Sequence, residues 1–327
     1  MNYIQRLMPI LLLLGLVGDG PGAISKPTRN FVEFFAGEQS VTKGLRLVGY
    51  KGDPVDVRLN SNHDLLTPCG FLVAITMIFS VCKGGLVWIA PPCSTWVWMS
   101  RSSTGRSDNS HGTLGDPDNL NVQRQNILVA RMCYLLALCW ARGVHFIIEQ
   151  PASSVMMKHP RLVKFFKPLG DAIQHVYLEL GSFCLDMKKG TTLSGWAPHL
   201  SNMAGTMTPL ERFWLRDGGH QVETHTRVVK EGKAKVYGGK DLKATQAYPM
   251  PFGCFHAAAY EQHVPLDSEE PLGREHEPLS PGLCDSSDSD DDMGEMDPAL
   301  QDLVNNDPEL FSGRVQLLNE LRVKFKD

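Results

Sequence analysis

From Phe31 onward the chain repeats one pattern: a short apolar run, a turn, then a longer helical stretch. "NFVEFF" is followed by "AGEQSVTKGLRLVG", which turns at Gly37 into a helix. "DLLTPCGFLVAITMIFSVCKG" reads as a buried helix from Pro68 to about Cys82, and "GLVWIA" as the strand after it. In "DNLNVQRQNILVARMCYLLALCWARG" the residues Ile127, Leu128, Met132, Leu135, Leu136 and Cys139 recur at three- and four-residue spacing. That spacing predicts an amphipathic helix, and Gly143 stops it. The strand "VHFIIE", a helix near "PRLVKFFKPLG" and the strand "HVYLELGSF" complete the series. Strands alternating with helices of this length predict an open α/β sandwich with a mostly parallel sheet and right-handed crossovers. There is no internal repeat.

The flanks are different in kind. Between Gly190 and Tyr248 the periodicity fades, apart from a helical piece at "TPLERFWLRDGG", so a small irregular insertion is expected there. "YPMPFGCFHAAAYEQH" then reads as a loop and a closing helix. Three regions follow: a hydrophobic segment at 1–29, the α/β domain at 30–265 and a tail at 266–327. The tail includes "CDSSDSDDDMGEMD", the composition of a disordered chain, and its end reads as a short helix with Pro308 at the first position. The whole chain carries 32 Lys and Arg against 36 Asp and Glu, a net of −4. Residues 266–327 hold 17 acidic and 5 basic side chains, which leaves 19 and 27 for the remainder: −12 against +8. A basic body with an acidic tail suits a polyanion-binding domain carrying its own counter-charge, or simply a solvated surface with a solubilising tail.

Compartment signals conflict. The segment "MNYIQRLMPILLLLGLVGDGPGAIS" has one Arg, an apolar stretch from Leu7 to Val17 and small residues near Ala23, the layout of a secretory signal peptide. It is short for a bilayer span, and an extra hydrophobic helix on the body or a mispredicted start site are the alternatives; a membrane partner enters only if this segment is retained. The eight cysteines form no C-x-x-C pair, so neither a zinc site nor a compact disulfide framework is expected, and scattered thiols fit a reducing compartment.

In an open parallel sheet, ligands bind beyond the carboxyl ends of the strands. Three such ends carry unusual residues: "FFAGEQS", "APPCSTW" and "EQPASS". This places Gly37, Cys93 and Glu149 along one rim. Singly, each has an ordinary reading, as a turn glycine, a structural Pro-Pro turn and a strand-end charge. Their joint occurrence on one edge favours chemistry.

These residues carry a resemblance. From about Phe31 to Tyr260 the chain resembles the cytosine-C5 DNA methyltransferase family, whose domain is Rossmann-like and dependent on S-adenosylmethionine. "VEFFAGEQSVTKGL" resembles its glycine turn, "PPCSTW" the Pro-Cys motif of the nucleophile and "FIIEQP" the strand whose Glu contacts the base. The resemblance implies Cys93 as nucleophile and Glu149 as proton donor to N3, with Arg101 as the nearest cation to promote the thiolate. It implies a cofactor site from Phe35, Ala36, Gly37, Glu38 and Pro92, with Asp56 on the ribose and Asp64 toward the adenine. A thiolate adding at C6 makes C5 enamine-like, and burial would raise the Glu149 pKa so that it holds a proton. The base must leave the stack to be reached. Trp96 and Trp98 would exclude water, and Arg101, Arg106, Lys188 and Lys189 would meet phosphates or stand as surface charges.

The chain also departs from the family pattern. Gln39 replaces a second glycine, Gln150 follows the Glu, and "HQVETHTR" with Arg227 is a poor substitute for the Gln-x-Arg-x-Arg motif. The leading expectation is methyl transfer to cytosine in nucleic acid, DNA ahead of RNA, with no metal. The alternatives are an RNA cytosine methyltransferase and a degenerate domain that binds nucleic acid or protein. A nuclear location follows from the first, a secretory one from a working leader. A cysteine hydrolase is disfavoured because His145 lies on the strand before Glu149 and no histidine pairs with Cys93 by context. A P-loop is absent.

Overall fold

Six strands form one sheet in the order β2-β1-β3-β4-β6-β5, where β1 is Arg29–Phe34, β2 Gly52–Val55, β3 Val81–Ile89, β4 His145–Pro151, β5 Gln174–Glu179 and β6 Gly190–Trp196. The structure, a computed structural model, describes residues 27–108, 112–183, 189–209, 212, 225–230, 233–238 and 247–264. The leader-like segment before residue 27, the acidic tail, Lys188 and most of the "TPLERFWLRDGG" piece lie outside those residues.

The first four strands are parallel, as the alternation with helices predicts. The sheet is not parallel throughout, however: β6 runs antiparallel to both β4 and β5. The sequence reading took 190–196 into the irregular insertion. "GTTLSGW" has two glycines and little apolar alternation, but the strand is mostly buried, and a Cβ on Gly195 would lie 2.0 Å from the Phe146 carbonyl oxygen. The remainder of the insertion contains a separate hairpin, β7 (His225–Lys230) with β8 (Lys233–Gly238).

Helices cover both faces, giving an α/β, Rossmann-like three-layer arrangement. The helices α1 (Ser40–Leu47) and α6 (Met250–His263) lie on one face, and α2 (Pro68–Phe79), α4 (Leu120–Arg142) and α5 (Pro160–Phe166) on the other. A single turn, α3 (Arg101–Thr104), follows the Cys93 loop. Each long helix has local reasons to start and stop. Thr67 caps α2 by accepting from Gly70 N–H at 2.9 Å, with Pro68 at the first position. The helix ends at Phe79 rather than near Cys82, because the Ser80 carbonyl is taken by the amides of Thr28 and Arg29, both at 3.0 Å, as β1 begins. Asn119 caps α4, and Gly143 closes it at φ 66°. Its stripe is buried as expected except for Ile127, which is 48% exposed.

The closing helix α6 is seated on α1 by backbone contact. Gly44 and Gly253 face each other so closely that a Cβ on Gly253 would lie 2.0 Å from the Ser40 carbonyl oxygen. Ser40 Oγ also donates to the Tyr248 carbonyl at 2.7 Å, fixing the residue that enters the sheet face just ahead of α6. Among the described residues no helix is long and apolar enough to cross a membrane.

Candidate active site

The strand order reverses between β1 and β3, because the chain leaves β1 toward β2 on one side and returns to build β3 and β4 on the other. That topological switch point opens a crevice beyond the strand ends, the usual ligand position in such sheets. Phe35, Ala36 and Gly37 leave β1 there, and Ala90 through Cys93 leave β3 beside them, joined by Ala90 N–H to the Phe34 carbonyl at 3.2 Å.

The β1 loop is unusually bent. Phe35, Gly37 and Gln39 have φ of 60°, 54° and 62°, three left-handed residues at alternate positions. For Phe35 and Gln39 this costs about 1–2 kcal/mol each, so the loop path is held by its surroundings. Gln39, where a glycine is expected, keeps a backbone that a glycine would adopt freely. Asp56, at the end of β2, accepts from Gly37 N–H at 3.0 Å through Oδ2 and from Arg58 N–H at 2.8 Å through Oδ1. Arg58 leans back over the turn, 3.4 Å from Glu38 Oε1, and its guanidinium end would meet a Cβ on Gly37 at 2.9 Å. Asp64 sits apart from this turn, accepting from Leu66 N–H at 2.8 Å ahead of α2.

The Cys93 loop is pinned on both sides. Gln150 Nε2 donates to the Pro91 carbonyl at 2.9 Å while its Oε1 accepts from Ser154 Oγ at 2.8 Å. Trp96 N–H closes a turn onto the Cys93 carbonyl at 2.8 Å, and Val155 N–H bonds the Trp96 carbonyl at 3.0 Å. Pro91 is buried, Pro92 exposed and Cys93 half-buried at the rim. Trp96 is wholly buried, with the Arg106 guanidinium stacked 3.4 Å over its ring. Arg106 is itself inside, donating to the Thr113 and Val122 carbonyls and to Asn126, so it clamps the loop and does not meet phosphates. Trp98 is 48% exposed and free to meet a ligand.

Glu149 lies at the end of β4, and Lys189, the residue before β6, reaches it with Nζ 3.9 Å from Oε1. Burial pushes the Cys93 thiol up, Lys189 pulls it back down, and Glu149 pushes it up again. The cation that acts on Cys93 is therefore Lys189. Arg101 is turned instead to Asp108, 2.7 Å away, which Lys158 also approaches at 4.0 Å. The sequence order had favoured Arg101, but chain proximity says nothing about a residue brought in by an antiparallel strand 96 positions on.

Two further residues belong to this face and were not singled out from the sequence. Glu33, inside β1, is 1% exposed; burial pushes it up to about 7 despite hydrogen bonds to Oε2 from Thr42 N–H (2.7 Å) and Oγ1 (2.5 Å). Tyr248 packs edge-on to Trp88 with ring centroids 6.1 Å apart, and Lys189 Nζ lies 5.8 Å from its ring centre. A charge in the middle of "NFVEFF" was the available signal for Glu33; nothing local marked Tyr248. Among the described residues no group of three or more His, Cys, Asp or Glu is placed to hold a metal. No protein-family model matches the chain, and no curated protein matches it.

Proposed function

We propose that this domain transfers a methyl group from S-adenosylmethionine to C5 of cytosine in nucleic acid, DNA ahead of RNA, through a covalent adduct at Cys93. One observation carries the reading: Lys189, just ahead of β6, pairs with Glu149 near the end of β4, and both charges act on Cys93 in the loop after β3, beside the Gly37 turn at the switch point. A lone strand-end thiol needs no such company.

The residues fit the cofactor. Its sulfonium and ammonium are cationic, and this crevice offers the carboxylates of Glu33, Asp56 and Glu38 with the rings of Trp88 and Tyr248. Glu33 Oε1 is buried and closes no hydrogen bond, as expected of a group that awaits a polar ligand, while Tyr248 is engaged by Glu149 and Trp88. Phe35, Ala36, Gly37, Glu38, Asp56 and Pro92 would hold the cofactor's methionine and ribose portions, with Asp64 toward the adenine. When bound, it supplies an electrophilic methyl group.

The chain's own residues do the rest. Pro91 and Gln150 hold the Cys93 loop against β4, so the thiol is aimed by a rigid scaffold rather than a mobile loop. Lys189 favours the thiolate, which adds at C6. Glu149 carries a proton to N3 as charge develops there. Trp96 walls the loop on its inner side, and Trp98 offers an exposed ring at the mouth, a surface on which a base can stack. The +8 of residues 1–265 supplies the attraction for a polyanion.

Calorimetry on the full chain tests the cofactor directly. S-adenosylmethionine and its demethylated product should both give saturable heat and raise the melting temperature. Absence of heat and of a thermal shift at millimolar ligand would remove the cofactor from the account.

A further inference from the structure

The outer surface of the α2, α4 and α5 layer gathers exposed apolar side chains. Six of the eleven large ones exposed among the described residues lie here: Leu72 on α2, Leu114 ahead of α4, Leu120, Ile127 and Tyr134 on α4, and Val163 on α5. Single exposed apolar residues are ordinary, but their concentration on one face marks a contact surface. Leu120, Ile127 and Tyr134 follow at seven-residue spacing, so they share one side of α4 and cover about 21 Å of its length. Leu114 joins this stripe through its carbonyl, which accepts from Asn126 Nδ2 at 2.9 Å. Leu72 borders the far end, where the ring of its neighbour Phe71 meets Tyr134 edge-on with centroids 6.4 Å apart.

The same face carries one sign of charge. No Asp or Glu occurs in α2, α4 or α5. Arg124 stands exposed between Leu120 and Ile127, and Arg161, Lys164 and Lys167 stand exposed on and just after α5. None of these four forms an ion pair among the described residues. The surface therefore suits a partner with an apolar stripe and an excess of acid.

We infer that this face is the dock for the chain's own C-terminal segment, residues 307–325. In "DPELFSGRVQLLNELRVKF" the residues Phe311, Leu318 and Phe325 recur at the same seven-residue spacing, with Val315 and Leu321 between them. As a helix they make one apolar stripe, also about 21 Å long. The chain leading into it is acidic: residues 285–297 hold seven Asp and Glu and no Lys or Arg. That charge complements the unpaired cations of α4 and α5. The reach is ample. Helix α6 ends at His263 on the other face of the sheet, and the 42 residues from 265 to 306 span at most about 150 Å, against a domain roughly 45 Å across. The segment lies along α4 with Leu318 over Ile127, and its acidic lead-in runs toward the cations. This dock does not depend on the chemistry at Cys93.

The test places a photo-cross-linker in the full chain as Ile127→benzoylphenylalanine, with Leu59→benzoylphenylalanine, at a similarly exposed site after β2, as the control. After irradiation and proteolysis, mass spectrometry should join position 127 to a peptide within 307–325, in monomeric protein and at a yield independent of concentration. Leu318→Asp should cut that yield about tenfold or more, the factor expected when one leucine loses its apolar contact. Arg161→Glu with Lys164→Glu should lower it at low salt and matter less as salt rises. A cross-linked dimer whose yield climbs with concentration gives the face to a second copy and overturns the inference. So does a yield at 127 no higher than at 59, or a tail cross-link that Leu318→Asp leaves intact. Capture of an added cytosine-rich oligonucleotide at 127 in place of the tail overturns it as well.

Discussion

Glu149→Gln should slow adduct formation with cytosine by about 10²–10⁴-fold, the range expected when a positioned proton carrier is removed. Gln keeps the shape of a side chain that is 5% exposed but cannot carry a proton to N3. The same change should leave the thiol no less reactive. Glu149 pushes the Cys93 thiol up and Lys189 pulls it down, so deleting the carboxylate charge leaves Lys189 unopposed. Alkylation of Cys93 by iodoacetamide therefore holds or quickens in the variant while addition to the base collapses. Equal losses in both reactions would mean that the loop had come apart, and that Glu149 is a structural residue.

The second large effect is on stability. His199 and His256 are fully buried with their Nε2 atoms 3.1 Å apart, an arrangement that needs one nitrogen to donate and the other to accept. Burial holds His256 down to about 3 and, with the facing His256, His145 and His263, holds His199 well below its ordinary range. His159, packed edge-on to Trp96, is lowered to about 4 by burial and by the neighbouring Arg106 and Arg161. Each is neutral in the fold and takes a proton on unfolding below pH 6.5. The stability they give is complete above that pH and falls as the pH drops toward the folded values, about 1.4 kcal/mol per unit for each. Glu33, raised to about 7, acts the other way: its contribution is complete below its unfolded value of 4.5 and is lost as the pH rises to about 7. His256 and His159 outweigh one carboxyl, and His199 adds to them. The unfolding free energy from denaturant titrations should fall between pH 6.5 and 4.5 by about 5 kcal/mol, a large part of the roughly 5–15 kcal/mol typical of a domain. A flat profile over that range would contradict the burial of these imidazoles as neutral groups.

The parts of the fold that were legible are those with local causes. The spacing of Leu128 through Cys139, the Gly143 stop and the apolar runs at 86–89 and 145–148 each follow from side-chain period and turn chemistry, and they place Gly37, Cys93 and Glu149 on one rim. What stayed hidden depends on partners far along the chain. "GTTLSGW" is a strand because β4 and β5 leave a slot for small residues, which no local pattern announces. Lys189 reaches Glu149 only because that strand runs antiparallel, and Tyr248 reaches the sheet only because Gly44 and Gly253 let α6 settle on α1. Arg106 looked like a surface cation on a polar loop, yet it stacks on Trp96 and is satisfied by carbonyls inside the protein.

The central claim is that Cys93 attacks cytosine, and one measurement meets it directly. The full chain, with S-adenosylmethionine, is incubated with oligonucleotides in which 5-fluorocytosine replaces cytosine, then denatured and weighed by mass spectrometry. Fluorine cannot leave C5 as a proton does, so the adduct persists. The account predicts a protein–oligonucleotide species that maps to Cys93 and is absent in Cys93→Ser. Wild-type protein that binds the cofactor yet forms no adduct on DNA or RNA would contradict it, and Cys93 would be a strand-end cysteine in a domain that keeps the fold without the reaction.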